Sequence, residues 1–451
     1  MTTLRIGCGA GYAGDRIDPA VDLAERGALD VLVFECLAER TIALAQLRRR
    51  LDPAAGYDPL LHERLRAVLP ACARQGVTVI SNMGAANPLA AGHAVLAVAG
   101  ELALPRLRVA VVSGDDVLDL VRALDLPLVD GDGVSARTVR ELGDRLVSAN
   151  AYLGADALLP ALDERADVVI TGRVADPALF LAPLVHRFGW AADDWTRLAR
   201  GIAVGHLLEC AAQVSGGYLA MPGRLDVPRL EELGFPLAEV GADGHAVVTK
   251  LAGTGGRVDR LSCTAQLLYE IEDPACYLQP DVVADFSRVQ LEELGGDRVA
   301  VRGAEGHPRP ATLKVTLGVR DGYIGEGQIS YAGPLARERG ELALRLLGHR
   351  LQRLGLGEAE RRAELIGVDA MHGPLRGTRC EPYEVRVRLA VRCTTRAQAE
   401  RIGQEVEALY LNGPAAGGGV TASVREVIAV ASCLIPREAV RTEVRLMEAG
   451  G

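Results

Sequence analysis

Over the first half of the chain, short apolar runs alternate with longer amphipathic stretches. Residues 4–8 (LRIGC) read as a buried strand, and 18–27 (DPAVDLAERG) as a helix with Asp18 at the N-cap and Pro19 in its first turn. A second strand is expected at 30–36 (DVLVFEC), followed by helices at 38–51 and 58–76, the latter stopping at Gly76. The alternation continues with a strand at 77–81, a helix opening at Asn87–Pro88, a strand at 107–115, and a strand at 167–171 feeding a helix at Asp176–Pro177. A long helix spanning 192–214 closes this half. β-branched runs between helices predict βα units and a parallel sheet.

After residue 236 strands follow one another directly: HAVVTK, RVAVRGA, ATLKVTLGV and GQISYAG. A helix at 334–354, a strand at 383–392, a helix at 395–410 and a last strand, EVIAVASCL, complete the chain. The pattern predicts an α/β protein: a Rossmann-like parallel-sheet domain over 1–235, packed with an α+β domain over 236–451. No repeat or low-complexity linker separates them, so close packing of the two is expected.

Composition narrows the classes. With 451 residues, 49% hydrophobic and 24% charged, the chain has the make-up of a soluble globular protein. A net charge of −9 without long single-sign blocks argues against nucleic-acid binding. The best apolar stretch is interrupted by His93 and Glu101, so no membrane span is expected, and the N-terminus lacks a signal-peptide pattern. Nine scattered cysteines without a C-x-x-C pair fit reduced thiols in a cytoplasmic protein and offer no zinc site. Of the 50 basic residues only Lys250 and Lys314 are lysine. A drift to arginine makes each surviving lysine a candidate for a task arginine cannot do.

The glycine pattern GAGYAG places Gly9, Gly11 and Gly14 after the first strand, with Glu35 at the end of the next. This is the spacing of a dinucleotide fingerprint with its ribose acid. Here, however, the helix opens late, and Asp15 stands where a pyrophosphate would be repelled. The loop therefore reads better as the wall of another site, presenting Asp15 and Arg16 at the sheet's carboxyl edge. Asn82, in SNMGAANP, lies in a strand-to-helix loop where α/β proteins bind ligands, whereas Asn87 reads as a helix cap. In TGRVADP, Asp176 reads as a cap and Arg173 as a fork for a carboxylate or phosphate. GHLLECAAQVSGG puts His206, Glu209, Cys210 and Gln213 on one helical face, acid–base equipment without a second cluster for a metal. Lys250 ends a strand before the glycines Gly253, Gly255 and Gly256, where it could act as a base, a nucleophile or a compact phosphate contact. Lys314, mid-strand, reads as a solvated residue.

Six stretches, GCGAGYAGDR, SNMGAANP, DVVITGRVADPALFLAPLVHRFGW, GHLLECAAQVSGGY, TKLAGTGGRVDRLSCTAQLLYEIEDPACYLQPDV and LNGPAAGGG, resemble the acyclic terpene utilization AtuA family, across residues 4–435. The resemblance implies a cytoplasmic bacterial protein that takes part in breaking down branched terpenoid or related carboxylic acids through acyl-CoA intermediates. Longer members carry a small ferredoxin-like α+β domain after the stretch matching EVIAVASCLIPRE, which implies a separate small subunit as partner here. Met83, Gly84, Ala85 and Ala86 stand where the family has a glycine-richer run.

Three functions are compatible with these residues. In the first, an enzyme site lies between the sheet's carboxyl edge and the second domain. Arg173 and Lys250 hold an acyl-CoA carboxylate or phosphate, and His206 with Glu209 or Asp15 moves a proton in lyase or hydro-lyase chemistry. Gly9, Gly11, Gly14, Arg16, Asn82, Gln213, Gly255 and Gly256 complete substrate binding, with no cofactor beyond coenzyme A as part of the substrate, in a homo-oligomer. In the second, an oxidoreductase binds a dinucleotide on Gly9, Gly11, Gly14 and Glu35. In the third, a noncatalytic subunit binds a ligand for a partner. The late helix predicts that NAD(H) and NADP(H) do not bind. Calorimetric titration should find no dissociation constant below about 100 μM, or roughly −5.5 kcal/mol.

Overall fold

Five strands rich in valine and isoleucine run parallel in the spatial order Thr3–Ala10, Val31–Phe34, Thr78–Ser81, Val168–Thr171 and Arg108–Ser113. Nearly all their residues are buried, as expected for strands covered by helices on both faces. The computed structural model describes residues 3–131, 134, 136–373 and 381–448. These fall into two compact units, one within Met1–Gly318 and Val430–Gly451, the other Val319–Ala429.

The sheet of the first unit does not stop at residue 235. Strand Pro236–Gly241 pairs antiparallel with Thr3–Ala10, and Ala246–Lys250, Arg298–Arg302 and Gln290–Glu293 extend that edge in turn. Glu443–Glu448 adds an antiparallel strand beside Arg108–Ser113, completing ten strands in a mixed sheet. The physical reason is the open edge of the first strand, whose unpaired backbone groups a hairpin satisfies. The directly consecutive strands after residue 236 therefore extend the first sheet, and the α+β core is confined to the second unit.

Helix starts and stops follow local chemistry in part. Asn87 caps Pro88–Glu101 by accepting from the Ala90 N–H at 3.4 Å, and Gly76 ends Leu61–Gln75 in the left-handed conformation at φ 70°. Asp176 does not cap: Ala178–Phe188 opens after Pro177 with no side-chain cap, and the aspartate turns to Arg173 instead. Asp18 is the first residue of its helix rather than the cap, and it pairs with Arg16. The long helix ends at Leu208, so Cys210 and Gln213 leave the face carrying His206. A buried strand at Leu146–Ala151 (LVSANA) has too little β-branched character to announce itself.

The glycine-rich loop after the first strand is fixed by packing. Asp15 Oδ2 accepts from the Gly11 N–H at 2.9 Å, and the buried Arg64 guanidinium donates to the carbonyls of Ala13 (2.9 Å) and Asp15 (3.2 Å). Arg64 is itself paired with Asp58 at 3.4 Å. A Cβ on Gly11 would lie 2.5 Å from the Cys210 carbonyl carbon. One on Gly9 would meet the Phe34 ring at 2.6 Å.

The second unit folds around its own core of Ile329, Tyr331, Leu347, Leu389, Val391, Ile402 and Val406. Helices Ala336–Arg353 and Arg396–Glu407 supply part of it. They cover one face of antiparallel strands Arg361–Ile366, Glu384–Cys393 and the 319–332 part of Thr312–Ala332.

The two loop glycines should separate in mutagenesis. Gly11→Ala forces backbone against backbone and should cost about 1–3 kcal/mol of stability. Gly14→Ala meets only the exposed Tyr12 ring, which can turn away, and should stay within about 0.5 kcal/mol of wild type. Urea unfolding checks both, and equal losses would contradict the packing of Gly11 on Cys210.

Candidate active site

The carboxyl ends of the parallel strands open into a cavity of about 790 Å³, entirely within the first unit. That volume lies in the range of small-molecule sites, and the position is where open α/β sheets bind ligands. Its lining is unusual in charge: among the described residues, the carboxyl groups of Glu35, Glu39, Asp176, Glu209 and others are joined by two cations, Arg173 and Lys314.

Arg173 is the centre of this wall, with 2% of its surface exposed. Its loop follows strand Val168–Thr171, and its backbone N–H donates to Asp115 Oδ2 at 2.8 Å. Gly172 precedes it because a Cβ there would lie 2.3 Å from the same Asp115 carboxylate. Asn150 donates to Asp115 at 2.8 Å, and burial pushes the Asp115 carboxyl up to about 6. The Arg173 guanidinium donates to the Leu37 carbonyl, lies 3.3 Å from Asp176 Oδ1, and sits over the Tyr152 ring at 4.0 Å from its centre. Its Nε has no partner.

Tyr152 meets a second cation, because the Lys314 ammonium sits 5.3 Å from the same ring centre. Its hydroxyl donates to Glu39 Oε1, which is also 3.6 Å from Lys314 Nζ. Burial alone would raise the Glu39 carboxyl, but Arg173, Tyr152 and Lys314 together hold it below the usual range. Glu39 is thus the ionised partner of the two cations.

The remaining acids shift the other way. Burial pushes Asp176 up to about 6, partly offset by Arg173. Glu35 is raised by burial and then by the Asp176 charge, although Leu37 N–H (2.8 Å) and Asn82 (2.9 Å) donate to it. Glu209 is raised by burial, with Asp176 and Glu270 adding to the effect. Its Oε1 lies 2.8 Å from His206 Nδ1, and burial holds that imidazole down to about 4. His206 is therefore neutral at physiological pH and orients Glu209 without neutralising it. Tyr277 and Gln266 pack around the histidine, with the Tyr277 hydroxyl 3.5 Å from Nδ1 and Gln266 donating to the His206 carbonyl at 2.8 Å. The second carboxyl oxygen of Glu209 and Nε2 of His206 have no partner. A buried polar atom left unpaired at a cavity wall is one a ligand can satisfy.

The structure gathers Gly11, Arg173 and Glu209 at the cavity, with His206 and Asn82 directly behind the lining carboxyls. It sends the other expected residues elsewhere. Asp15 is spent on the Gly11 and Arg16 amides, and Arg16 pairs with Asp18 on the surface. Gly9, Gly14 and Gln213 do not line the cavity. Lys250 is buried away from it, donating to the Thr254 carbonyl at 3.0 Å and pairing with Asp297 at 3.1 Å. Gly255 and Gly256 close the same turn, where a Cβ would strike the Arg229 carbonyl oxygen (1.9 Å) or the Ser215 carbonyl oxygen (2.4 Å). Lys314, read as solvated, is exposed as expected, and it is also the lysine that lines the cavity. Its mid-strand position gave no hint, because only the long-range pairing of its strand with Leu146–Ala151 brings it beside Tyr152.

Among the described residues no group of three or more His, Cys, Asp and Glu side chains is arranged to hold a metal ion. The eight described cysteines are free thiols, and no described helix is long and apolar enough to cross a membrane.

Fold and cavity together define an α/β protein with a carboxyl-rich, ligand-sized site at the carboxyl ends of its parallel strands. Over residues 4–446 the chain matches the model of the family described as acyclic terpene utilisation family protein AtuA, and it belongs to that family. No curated protein and no solved structure matches it.

The two lysines should behave oppositely under substitution. Lys250→Arg must fit a longer, planar head into the Thr254–Asp297 clamp and should lower stability by about 1–3 kcal/mol, with ligand binding retained. Lys314→Met should leave the melting temperature nearly unchanged and weaken binding of a branched carboxylic acid at least tenfold, ~1.4 kcal/mol. Paired thermal unfolding and calorimetry decide, and the reverse pattern would place Lys250 at the site.

Proposed function

We propose that the chain is a catabolic enzyme acting on a branched carboxylic acid or its acyl-CoA by lyase or hydro-lyase chemistry. Membership of the acyclic terpene utilisation family supports a catabolic role. The observation that carries the chemistry is Glu209: a carboxyl raised by burial, oriented by a neutral histidine, with one oxygen free at the cavity wall. A carboxyl that keeps its proton near neutral pH is a general acid.

In this reading Arg173 and Lys314 hold the substrate's carboxylate or thioester carbonyl. Asp176, ionised above about 6, removes a proton from the carbon next to that carbonyl. The electron pair of the broken C–H bond forms the carbon–carbon double bond, the C–O bond to the hydroxyl breaks, and the Glu209 proton converts the leaving hydroxide to water. Asp176 ends protonated and Glu209 ionised, and a proton returned between them resets the site. The dinucleotide alternative is less well supported, because the Gly11 amide that would face a pyrophosphate is taken by Asp15.

The test is water loss or gain, followed by mass spectrometry, on 3-hydroxy-3-methyl-branched acids and their coenzyme A thioesters. Glu209→Gln should lower the rate by about 10²-fold or more. Because the Asp176 carboxyl is raised to about 6, it is protonated and inactive as a base at lower pH. The wild-type rate should therefore climb as pH rises through about 6, and Asp176→Asn should remove both the rate and that limb. A Glu209→Gln protein working at the wild-type rate would sink the assignment. Tight binding without turnover would make the chain a ligand-presenting subunit.

A further inference from the structure

One polar side chain of the cavity wall has no part in the acid–base scheme. Gln279, with 8% of its surface exposed, follows the short strand Tyr277–Leu278 and lines the cavity. Side chains along an extended chain alternate in direction, and burial follows that alternation here: Tyr277 is half-buried, Leu278 exposed and Gln279 buried. Tyr277 and Gln279 therefore project to one side, about 7 Å apart along the chain. Tyr277 marks that side as the Glu209 end of the cavity. Its hydroxyl is 3.5 Å from His206 Nδ1, which lies 2.8 Å from Glu209 Oε1.

The backbone around Gln279 is tied down at three points. Its own N–H donates to the Val282 carbonyl at 3.1 Å. Arg437 donates to the Pro280 carbonyl, and both oxygens of the buried Asp281 accept from the Ala155 N–H, at 2.9 and 3.1 Å. Gly154 keeps that contact open, since a Cβ there would lie 2.6 Å from Asp281 Oδ1. Yet the carboxamide carried by this braced segment is unsatisfied: among the described residues, the buried Gln279 Oε1 has no hydrogen-bond partner. A buried acceptor left unpaired is unfavourable, and a braced segment cannot turn it out to water. A ligand that supplies a donor recovers the loss with little rearrangement.

The reaction set out above has such a donor to offer. When Glu209 donates its proton toward the leaving hydroxyl oxygen, the hydroxyl's own hydrogen still needs an acceptor. An ionised carboxylate in that place would compete for the Glu209 proton, whereas an amide oxygen accepts the hydrogen bond and takes no proton. We propose that Gln279 is the specificity-determining residue of the cavity. Its carboxamide accepts a hydrogen bond from the substrate hydroxyl and so selects hydroxylated branched acids over analogues with a methyl group in that place. The inference rests on the reading of this cavity as the substrate site and adds the residue that recognises the leaving group. It holds for the free acid and the thioester alike.

The experiment is calorimetry on the full chain with matched probes: 3-hydroxy-3-methylbutanoate and 3,3-dimethylbutanoate, each also as its coenzyme A thioester. In whichever form binds, the wild type should hold the hydroxylated probe at least tenfold tighter than its dimethyl counterpart, ~1.4 kcal/mol. Gln279→Met nearly conserves volume and removes the acceptor. It should bring the two affinities within threefold of each other, mainly by weakening the hydroxylated probe. If thermal unfolding shows that this variant does not fold, Gln279→Leu makes the same comparison, and the wild-type ratio is a test that needs no variant. A wild type that binds both probes equally overturns the inference and leaves the cavity as the substrate site. A folded variant that keeps the tenfold preference overturns it likewise. If none of the four probes binds, the substrate site itself is misplaced, and the inference falls with it.

Discussion

A guanidinium buried at the end of a parallel sheet sets the terms for everything near it. Arg173 has almost no contact with solvent, and a buried cation is tolerated only where charge and hydrogen bonds surround it. Asp115 fixes its backbone, Leu37 accepts from its head, Tyr152 offers a ring face, and Asp176 and Glu39 supply negative charge. These partners come from the segments around Asp115, Leu37 to Glu39 and Tyr152, with Asp176 in the arginine's own loop. The strand order, the loop at Leu37 and the turn at Gly172 all have to be in place before the charge is satisfied. The cavity is the space left when they are.

The same requirement explains why the surrounding acids titrate so differently. One cation pair cannot neutralise a wall of carboxyls, so position decides which stay ionised. Glu39, in reach of Arg173, Lys314 and the Tyr152 hydroxyl, keeps its charge. Glu209 and Glu35 are pushed upward by burial and by the Asp176 charge. Burial pushes all of these carboxyls upward, and the cations and hydrogen bonds each one meets decide how far the push is offset.

Much of the first unit was legible because its signals are local. The five β-branched strands, the cap at Asn87 and the stop at Gly76 each depend on a few adjacent residues. Arg173 and the His206–Glu209 pair were legible for a related reason: a loop arginine after a strand, and an i,i+3 spacing that survives even though the helix ends at Leu208. What escaped depends on partners far along the chain. Asp176 has the sequence of a cap, yet it answers to Arg173 and the neighbouring carboxyls. Lys314 and Tyr152 acquire meaning only when two distant strands pair, and Lys250 loses its site role because Asp297 reaches it across the sheet edge. The hairpin after residue 236 reads as a new domain because nothing local announces that the first strand's edge is free.

Gly172 carries a constraint on the lineage as well as on the fold. The space its side chain would fill is occupied by the Asp115 carboxylate, which in turn holds the Arg173 amide. Positions 115 and 172 therefore cannot drift independently. A related chain with any side chain at 172 has to carry a smaller residue at 115, and it then has to find another acceptor for the amide after it. Among descendants of a common ancestor the two sites should change together or not at all, and in library design they should be varied as one position.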